Sequence, residues 1–317
     1  MFSSTSASRR RTLGGSLFVV LFLFSLLLAA CGSTTTTGGG NGTTSNALPC
    51  TSPTTGGSTP GATATSSTGS ATITAPNDLI TSGTLTVGSD TTYPPQEYID
   101  TSTGKPVGFD IDLITAIAQR IGLKTKVISA DFGTIIDSLK AKRFDVVISA
   151  VTINPQRQQQ VDFVPYFYAG ESLLVQKGNP MGLKCIANLC GLNVGVQKGT
   201  VEQDDLTAQD KTCKAKGKPG INMTILQNQT DVVQLLATNR VVATYQDSPV
   251  TDYYLKQNPG QFDVGGTVVN AADEGIVVRK GDTSMFNAVS AAFAQLKSDG
   301  TYHTLITKWG LTSGEIS

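Results

Sequence analysis

The sequence predicts an α/β protein with two lobes, because strand and helix patterns alternate in two separate sets along residues 78–317. The first set has buried-strand patterns at 84–87, 125–128 and 145–148, and helical spacing of apolar residues at 110–121 and 134–141. The second set has strands at 193–196, 222–226 and 241–244, and helices at 200–209, 230–238 and 248–257.

The C-terminal tail predicts one more strand and two helices. The strand lies at 275–278, and the helices lie at 283–298 and 302–308. Leu305, Ile306 and Trp309 need a core to cover them, so we expect this tail to return to the first lobe.

The N-terminal segment combines basic, apolar and small residues in that order. Three arginines at 9–11 precede an apolar run at 17–28, and two alanines precede Cys31. This order is typical of a secretory signal peptide, and the cysteine after the small residues indicates cleavage and acylation at Cys31. We therefore expect an exported protein, held by a lipid on the outer face of the cell membrane. A transmembrane helix would need a longer apolar run.

Residues 32–77 contain no Asp, Glu, Lys or Arg and consist mainly of Ser, Thr, Gly, Pro and Ala. Such a segment has too little apolar surface to offset the entropy of ordering it, so we predict a disordered linker. A flexible coil of this length reaches about 35 to 40 Å. A cell-wall spacer or a glycosylated stalk is an alternative use of the same composition.

Composition argues against several functions. Lys and Arg together number 24, as do Asp and Glu, so no charge excess indicates nucleic-acid binding. His303 is the only histidine and lies in the last helical pattern, which favours a surface role over a zinc site or a histidine-based triad. Four cysteines follow Cys31. Because the chain is expected to be exported, we expect them to form disulfides rather than to bind a metal. We expect no metal and no cofactor.

Short motifs follow one another in a specific order through residues 84–310. They are VGSDTTYPP at 87–95, VGFDIDL at 107–113, FDVVIS at 144–149, TINPQR at 152–157, VDF at 161–163, GVQKGT at 195–200, QDSP at 246–249, GTYH at 300–303 and KWG at 308–310. Together they resemble the bacterial extracellular solute-binding proteins of family 3, which deliver polar amino acids to ABC importers. The resemblance implies a monomeric receptor, not an enzyme, whose partner is an importer permease.

The resemblance also implies a clam-shell fold of periplasmic-binding-protein type II. Lobe 1 would comprise residues 78–175 and 275–317, and lobe 2 would comprise residues 176–274. Two chain crossings, near 173–176 and 274–278, would form the hinge. A ligand would then close the cleft by touching both lobes.

A free amino acid entering a dry cleft must meet an opposite charge for each of its own charges. For the carboxylate, the resemblance points to Arg157, whose guanidinium donates two parallel hydrogen bonds. Arg157 follows Asn154-Pro155, a typical helix start whose N–H groups favour an anion. Thr152 would add a donor, and Gly199-Thr200 would contribute a second contact from lobe 2.

For the ammonium group, the resemblance points to Asp247, which follows the predicted strand at 241–244. A carboxylate there would form a charge-assisted hydrogen bond. From the residues alone, Asp247 is equally compatible with a helix N-cap, because Ser248-Pro249 follows it. The carbonyl of Ser149 or Ala150 is a further acceptor.

The resemblance assigns selection of the ligand side chain to Asp90, Tyr93, Phe132 and Gln197. Tyr93 and Phe132 would form aromatic walls against an aliphatic stem, unless they serve only in core packing. Asp90 would pair with a cationic or amide terminus. Arginine or lysine, glutamine and histidine all stay open as ligands.

Two cysteines, Cys190 and Cys213, resemble a pair found in lobe 2 of Gram-positive members of the family. We expect a disulfide between them, which would stabilise the fold by about 3 kcal/mol. Cys185 competes for either partner. Cys50, in the linker, would pair with Cys185 or remain unpaired.

Two other functions stay open. A dehydratase acting on a cyclohexadienyl acid, on the same fold, would need a general acid or base in the cleft, and Glu202 is the candidate. A ligand sensor would need a separate signalling partner, because the sequence after the linker predicts no signalling module.

Overall fold

The computed structural model describes residues 72–317, so the predicted signal peptide, the acylation at Cys31 and most of the predicted linker lie outside the described residues. The strands are β1 (Thr84–Ser89), β2 (Thr92–Tyr93), β3 (Glu97–Asp100), β4 (Lys105–Val107), β5 (Lys124–Ser129), β6 (Val146–Val147), β7 (Val161–Gln176), β8 (Asn193–Gln197), β9 (Asn222–Leu226), β10 (Ala243–Asp247), β11 (Phe262–Val264) and β12 (Val269–Arg279). The helices are α1 (Phe109–Ile121), α2 (Ile135–Lys140), α3 (Pro155–Gln158), α4 (Val201–Ala215), α5 (Gln229–Ala237), α6 (Ser248–Gln257), α7 (Thr283–Ser298) and α8 (Thr301–Trp309). Within this described part, no helix is long and apolar enough to cross a membrane.

The long strands β7 and β12 run between two lobes. The main sheet has the order β5-β1-β6-β12-β7-β10-β8-β9, and β11 pairs with β7. β7 pairs with β12 from Val161 to Glu171 and with β10 from Glu171 to Val175, antiparallel in both cases. Lobe 1 is thus built on β1, β5 and β6, and lobe 2 on β8, β9, β10 and β11. The fold is a two-lobed α/β clam shell of periplasmic-binding-protein type II, as predicted.

Each lobe has its own apolar core. In lobe 1, α7 and α8 pack against α1, as expected for the C-terminal tail, and Phe109 and Val289 are fully buried between them. Apolar residues on one face of α1 drive this packing, and the helix ends at Gly122, whose φ of 81° is the left-handed conformation of many helix ends. In lobe 2, Val196 of β8 and Leu206 of α4 lie in a second core.

A disulfide joins Cys190 to Cys213, with the two Cα atoms 5.6 Å apart. It is the pairing that the resemblance implied. The bond ties the residue after a short 3₁₀ helix, Ile186–Leu189, to the C-terminal turn of α4. Cys185 is not part of this bridge and is itself disulfide-bonded, whereas Cys50 lies outside the described residues.

Three features of the fold were not predicted. They are β7, a strand of 16 residues, a separate small sheet of β2, β3 and β4, and the short strand β11, which pairs with β7. The strand predicted at 145–148 is the shorter β6 (Val146–Val147), and the strand predicted at 241–244 is β10, which begins and ends later (Ala243–Asp247). His303 lies on the exposed side of α8 with Nδ1 3.0 Å from the Glu315 carboxylate, which confirms its surface position.

An aromatic group bridges the lobes outside the cleft. The ring centroids of Tyr98 in β3 and Tyr253 in α6 lie 6.0 Å apart, and Tyr98 also meets the Trp309 ring edge-on at 6.2 Å. Trp309 donates its indole N–H to Asp112 at 2.8 Å, which fixes the ring in place. We call Tyr98, Tyr253 and Trp309 the aromatic bridge.

Candidate ligand-binding site

A cavity between the lobes brings most of the predicted site residues together. Its volume is about 10 Å³, room for about one water molecule, so the lobes close tightly on each other around these residues. Nine of the eleven predicted residues line it, namely Tyr93, Phe132, Ser149, Ala150, Thr152, Arg157, Gln197, Thr200 and Asp247. The other two contact lining residues: Asp90 meets Gln197, and Gly199 meets Arg157.

Arg157 is held between the two lobes. The Asn154 side chain caps α3 by accepting the N–H of Arg157 at 2.8 Å, as predicted. The guanidinium donates to the carbonyl of Thr152 at 2.7 Å and, across the cleft, to the carbonyl of Gly199 at 3.2 Å. Thr152 therefore orients the arginine through its carbonyl. Because α3 has only four residues, its dipole adds little to the charge of Arg157.

Arg157 is a buried cation. The Phe132 ring centroid lies 5.4 Å from its guanidinium carbon, within the range of a cation–π contact. Burial lowers the pKa of Arg157, and the carboxyl groups of Glu202 and Asp247 oppose this shift. Since an arginine pKa starts above 12, the side chain stays charged.

Asp247 ends β10 at the cavity. It occupies the N-cap position of α6, but its side chain makes no capping hydrogen bond. Instead, its Oδ2 accepts the Tyr93 hydroxyl at 2.8 Å, and its N–H donates to the Tyr93 oxygen at 3.1 Å. Burial raises the pKa of Asp247 to about 6, although Tyr93 and Arg157 both act to lower it. Asp247 is thus the N-cap residue by position, but its carboxyl group faces Tyr93 at the cavity and does not bond to the N–H groups of α6.

Asp90 is a buried acid with neutral hydrogen-bond partners. Its N–H donates to Ser149 Oγ at 2.8 Å, and Thr92 Oγ1 donates to its carboxylate at 2.8 Å. Gln197 donates to Asp90 from lobe 2 and to the carbonyl of Gln227 at 2.9 Å. Burial raises the pKa of Asp90 to about 6, although the hydrogen bonds from Thr92 and Gln197 act to lower it.

Gly199 brings the start of α4 over the cavity. Its φ is +81°, and a Cβ at this position would lie 2.5 Å from the Cα of Gly133 in lobe 1. Only glycine adopts this conformation without strain. The next residue, Thr200, caps α4 by accepting the N–H of Gln203 at 3.2 Å.

Two lining residues, Val201 and Glu202, were not predicted as part of a ligand site. Sequence reasoning placed Glu202 only in the alternative enzyme. Glu202 is fully buried, and burial followed by repulsion from Asp247 and Glu171 raises its pKa well above the usual range. One feature of the sequence could have indicated that Glu202 lies at the ligand site: it stands two residues after Thr200, in the first turn of a helix that Thr200 caps.

Further buried carboxyl groups support the lobe 1 side of the cavity. Glu97 accepts the Ser149 hydroxyl at 2.8 Å, and Asp110 accepts the N–H of Ala150 at 3.0 Å and the Tyr166 hydroxyl at 2.7 Å. Burial, followed by repulsion from Asp110, raises the pKa of Glu97. Asp110 lies in the VGFDIDL motif, but nothing in the sequence marked Glu97. Residues 72–317 contain no group of His, Cys, Asp and Glu that could hold a metal ion.

A cavity between two α/β lobes, lined by a buried cation and a buried acid, is typical of solute-binding proteins. The sequence comparison agrees with this class. The family of bacterial extracellular solute-binding proteins, family 3, matches residues 85–312. The chain belongs to this family.

Similar proteins include binding proteins for amino acids. The lysine/arginine/ornithine-binding periplasmic protein of Escherichia coli is 33% identical over 234 residues, which cover 71% of this chain and 87% of that protein. An ancestral arginine-binding protein bound to arginine is 38% identical with a TM-score of 0.66, over 72% of this chain and 98% of that one. The ancestral amino-acid-binding protein AncCDT-1, a precursor of cyclohexadienyl dehydratase, is 33% identical with a TM-score of 0.65, over 72% and 95% of the two chains.

Proposed function

We propose that this protein is a lipid-anchored extracytoplasmic receptor that binds a free basic amino acid between its lobes and delivers it to an ABC importer. The observation that carries the proposal is that Arg157 and Asp247, from different lobes, line one small cavity. The proposal includes the lobe limits at 78–175 with 275–317 and at 176–274, and the lipid on Cys31.

The two charged residues match the two charges of a free amino acid. Moving a carboxylate and an ammonium out of water is costly unless each meets an opposite charge. Arg157 offers parallel N–H donors to the carboxylate, and Asp247 offers an ionised oxygen to the ammonium. A ligand held by both residues stabilises the closed arrangement of the lobes, because it binds that arrangement better than an open one.

Asp90 supports a cationic side chain on the ligand. It is 3% exposed, and its partners are neutral donors, so a ligand cation would supply the missing opposite charge. Asp90 lies next to the cavity, in contact with the lining residue Gln197, while Tyr93 and Phe132 line the cavity and suit an aliphatic stem. The names of two similar proteins point to the same class of ligand, the basic amino acids. One is a lysine/arginine/ornithine-binding protein, and the other is an arginine-binding protein solved with arginine.

Titration calorimetry with arginine, lysine, histidine and glutamine tests the site. Arg157→Ala and Asp247→Ala should each weaken binding by about thirtyfold to several thousandfold, because each leaves a buried ligand charge uncompensated. Arg157→Lys should also bind poorly, since a point charge loses the paired hydrogen bonds. Asp90→Ala should weaken arginine and lysine more than glutamine.

Blocked ligands provide the control for this test. Arginine acetylated on its α-nitrogen and arginine amidated on its carboxyl group should both bind weakly to the unmodified protein. If Asp247→Ala binds arginine as tightly as the unmodified protein does, or if both blocked ligands bind normally, the assignment of the two charged residues is wrong.

The lipid anchor is tested at Cys31. Cys31→Ser should move the protein out of the membrane fraction, because the acylated residue is lost. Ser33→Ala, two residues further on, is the matched control and should stay membrane-bound. Detergent-dependent retention of Cys31→Ser in the membrane would contradict the anchor.

The similarity to AncCDT-1 and the position of Glu202 in the cavity give a specific reason to test the alternative enzyme. Incubation with a cyclohexadienyl acid should leave it unchanged if the protein is a receptor. Formation of an aromatic product, lost in Glu202→Gln, would instead establish a dehydratase.

A further inference from the structure

Glu202 is a buried acid that the contacts proposed so far leave unused. It lies in the first turn of α4, lines the cavity and is only 2% exposed. Asp247 lines the same cavity, and its charge helps burial to raise the pKa of Glu202. Its Oε1 has no hydrogen-bond partner within residues 72–317. A buried polar atom without a partner costs about 1 to 3 kcal/mol, so a donor on a ligand would be stabilised at this oxygen.

The groups that face Glu202 are mostly acidic. Arg157 of α3 attracts its carboxyl group. The other titratable groups come from strands β2, β7, β10 and β12, and they are Tyr93, Glu171, Tyr245, Asp247 and Glu274. Two carboxyl groups in contact in a dry site share one proton, because both cannot ionise together.

Charge balance assigns different protonation states to Glu202 and Asp247. Arg157 balances the carboxylate of an amino acid, and one ionised acid balances its ammonium. A second ionised acid would leave a buried negative charge without compensation. Asp247 accepts the Tyr93 hydroxyl, and Tyr93 and Arg157 both favour its ionised form, whereas Glu202 has an oxygen without a partner in the described part of the chain. The proton therefore belongs to Glu202 and the charge to Asp247.

We propose that Glu202, in its neutral acid form, positions the ammonium group of the ligand. Its O–H donates to Asp247, and its Oε1 accepts one N–H of the ammonium. With Asp247 and a backbone carbonyl at Ser149 or Ala150, the site then offers three acceptors to three N–H donors, which selects for a primary ammonium. The inference rests on the proposed function, because it concerns the same end of the same ligand.

Calorimetry with L-arginine on two variants tests the proposal. Glu202→Ala should weaken binding by about five- to 150-fold, the equivalent of one lost buried hydrogen-bond partner. Glu202→Gln should recover most of this loss, because an amide donates to Asp247 and accepts from the ammonium as a neutral acid does. Nα-methyl-arginine should bind more weakly than arginine to the unmodified protein and lose much of that disadvantage in Glu202→Ala.

Asp204→Asn is the matched control. It removes a charge from the same turn of α4 at an exposed position, so it should bind arginine like the unmodified protein. If Glu202→Gln is as weak as Glu202→Ala, Glu202 acts as an ionised group and the proposal is wrong. If Glu202→Ala binds arginine normally, Glu202 does not meet the ammonium and the proposal is equally wrong.

A spectroscopic measurement covers the case in which Glu202→Ala does not fold. Infrared difference spectra should show the C=O band of a neutral carboxylic acid that shifts when arginine is added, and Glu202→Gln should lack it. Absence of such a band in the unmodified protein would overturn the proposal. The proposed function is judged separately, by whether the unmodified protein binds arginine and whether Arg157→Ala abolishes that binding.

Discussion

At Gly199 the backbone of lobe 2 lies against the backbone of lobe 1. The space for a side chain is taken by the Cα of Gly133, 2.5 Å from where a Cβ would stand. Because neither partner is the flexible end of a side chain, a methyl group there must separate the two chain segments. The carbonyl of Gly199 also accepts from Arg157, so this separation would disturb the site itself.

Gly199→Ala should therefore weaken arginine binding by about tenfold or more, through strain of roughly 1 to 2 kcal/mol and a displaced Arg157 contact. Gly217→Ala is the control, because Gly217 has a similar φ of +69° but open space around its Cβ position. Both variants should unfold at slightly lower temperatures, and only Gly199→Ala should lose affinity. Equal affinities in the two variants would contradict the backbone contact between the lobes.

Among the site residues, those that belong to a recognisable sequence motif could be predicted. Arg157, Asp247 and Gly199 stand in motifs with a distinct order, and the structure gathers them around one cavity or against its lining. Glu97 could not be found in this way, and Glu202 was singled out only for the alternative enzyme, because the state of both acids depends on burial and on neighbours that are distant in sequence.

The helix α4 is fixed at both ends, by a cap at its start and by a disulfide at its end. Thr200 caps the N-terminus beside the cavity, whereas Cys213 lies in the last turn and is fully buried. The bond to Cys190 closes a loop with a sequence separation of 23. A cross-link of this length acts mainly on the unfolded chain, by reducing its conformational freedom.

Replacing both Cys190 and Cys213 by alanine should lower the free energy of unfolding by about 3 kcal/mol, or the melting temperature by about 6 to 12 °C. Arginine affinity should stay unchanged, because the bridge lies at the opposite end of α4 from Thr200. Denaturant unfolding and calorimetry on one protein preparation give both values. A loss of affinity that matches the loss of stability would show that the bridge also orients the site.

At the scale of elements, the periodic segments were predictable and β7 was not. Helices α1, α4, α6 and α7 carry apolar residues on one face, which gives a periodic signal. β7 is buried on both sides along most of its length and includes Pro165, Gly170 and Glu171, so it shows no alternation. It also changes partner at Glu171, and pairing between distant segments leaves no local signal.

Over the whole molecule, buried acids outnumber buried cations around the cleft. Burial raises the pKa of Asp110 to about 7 and that of Glu171 to about 8, beside the raised values of Asp90 and Asp247. The folded state then holds more protons than the unfolded state in the window between the ordinary and the raised pKa values. The free energy of unfolding therefore falls as pH rises through that window.

Without ligand, the protein should unfold at a higher temperature at about pH 5 than at about pH 8. Arginine affinity should change in the opposite direction, because Asp90 and Asp247 must be ionised to pair with a cationic ligand. Below about pH 4 stability should fall again, since exposed acids such as Asp162, whose pKa Lys280 lowers, become protonated. Thermal unfolding and calorimetry across this range measure both trends. A ligand-free stability that rises steadily from pH 5 to 8 would contradict the excess of buried acids.

The aromatic bridge gives the protein an optical signal of its own. The chain has one tryptophan, so its emission reports on a single place, and that place is where Tyr98 of lobe 1 meets Tyr253 of lobe 2. A rotation that moves Tyr253 away from Tyr98 would change the groove that Tyr253 and Trp309 share, and with it the polarity around Trp309. Opening and closing can therefore be timed in stopped-flow experiments without a dye, at a site outside the cavity that receives the ligand.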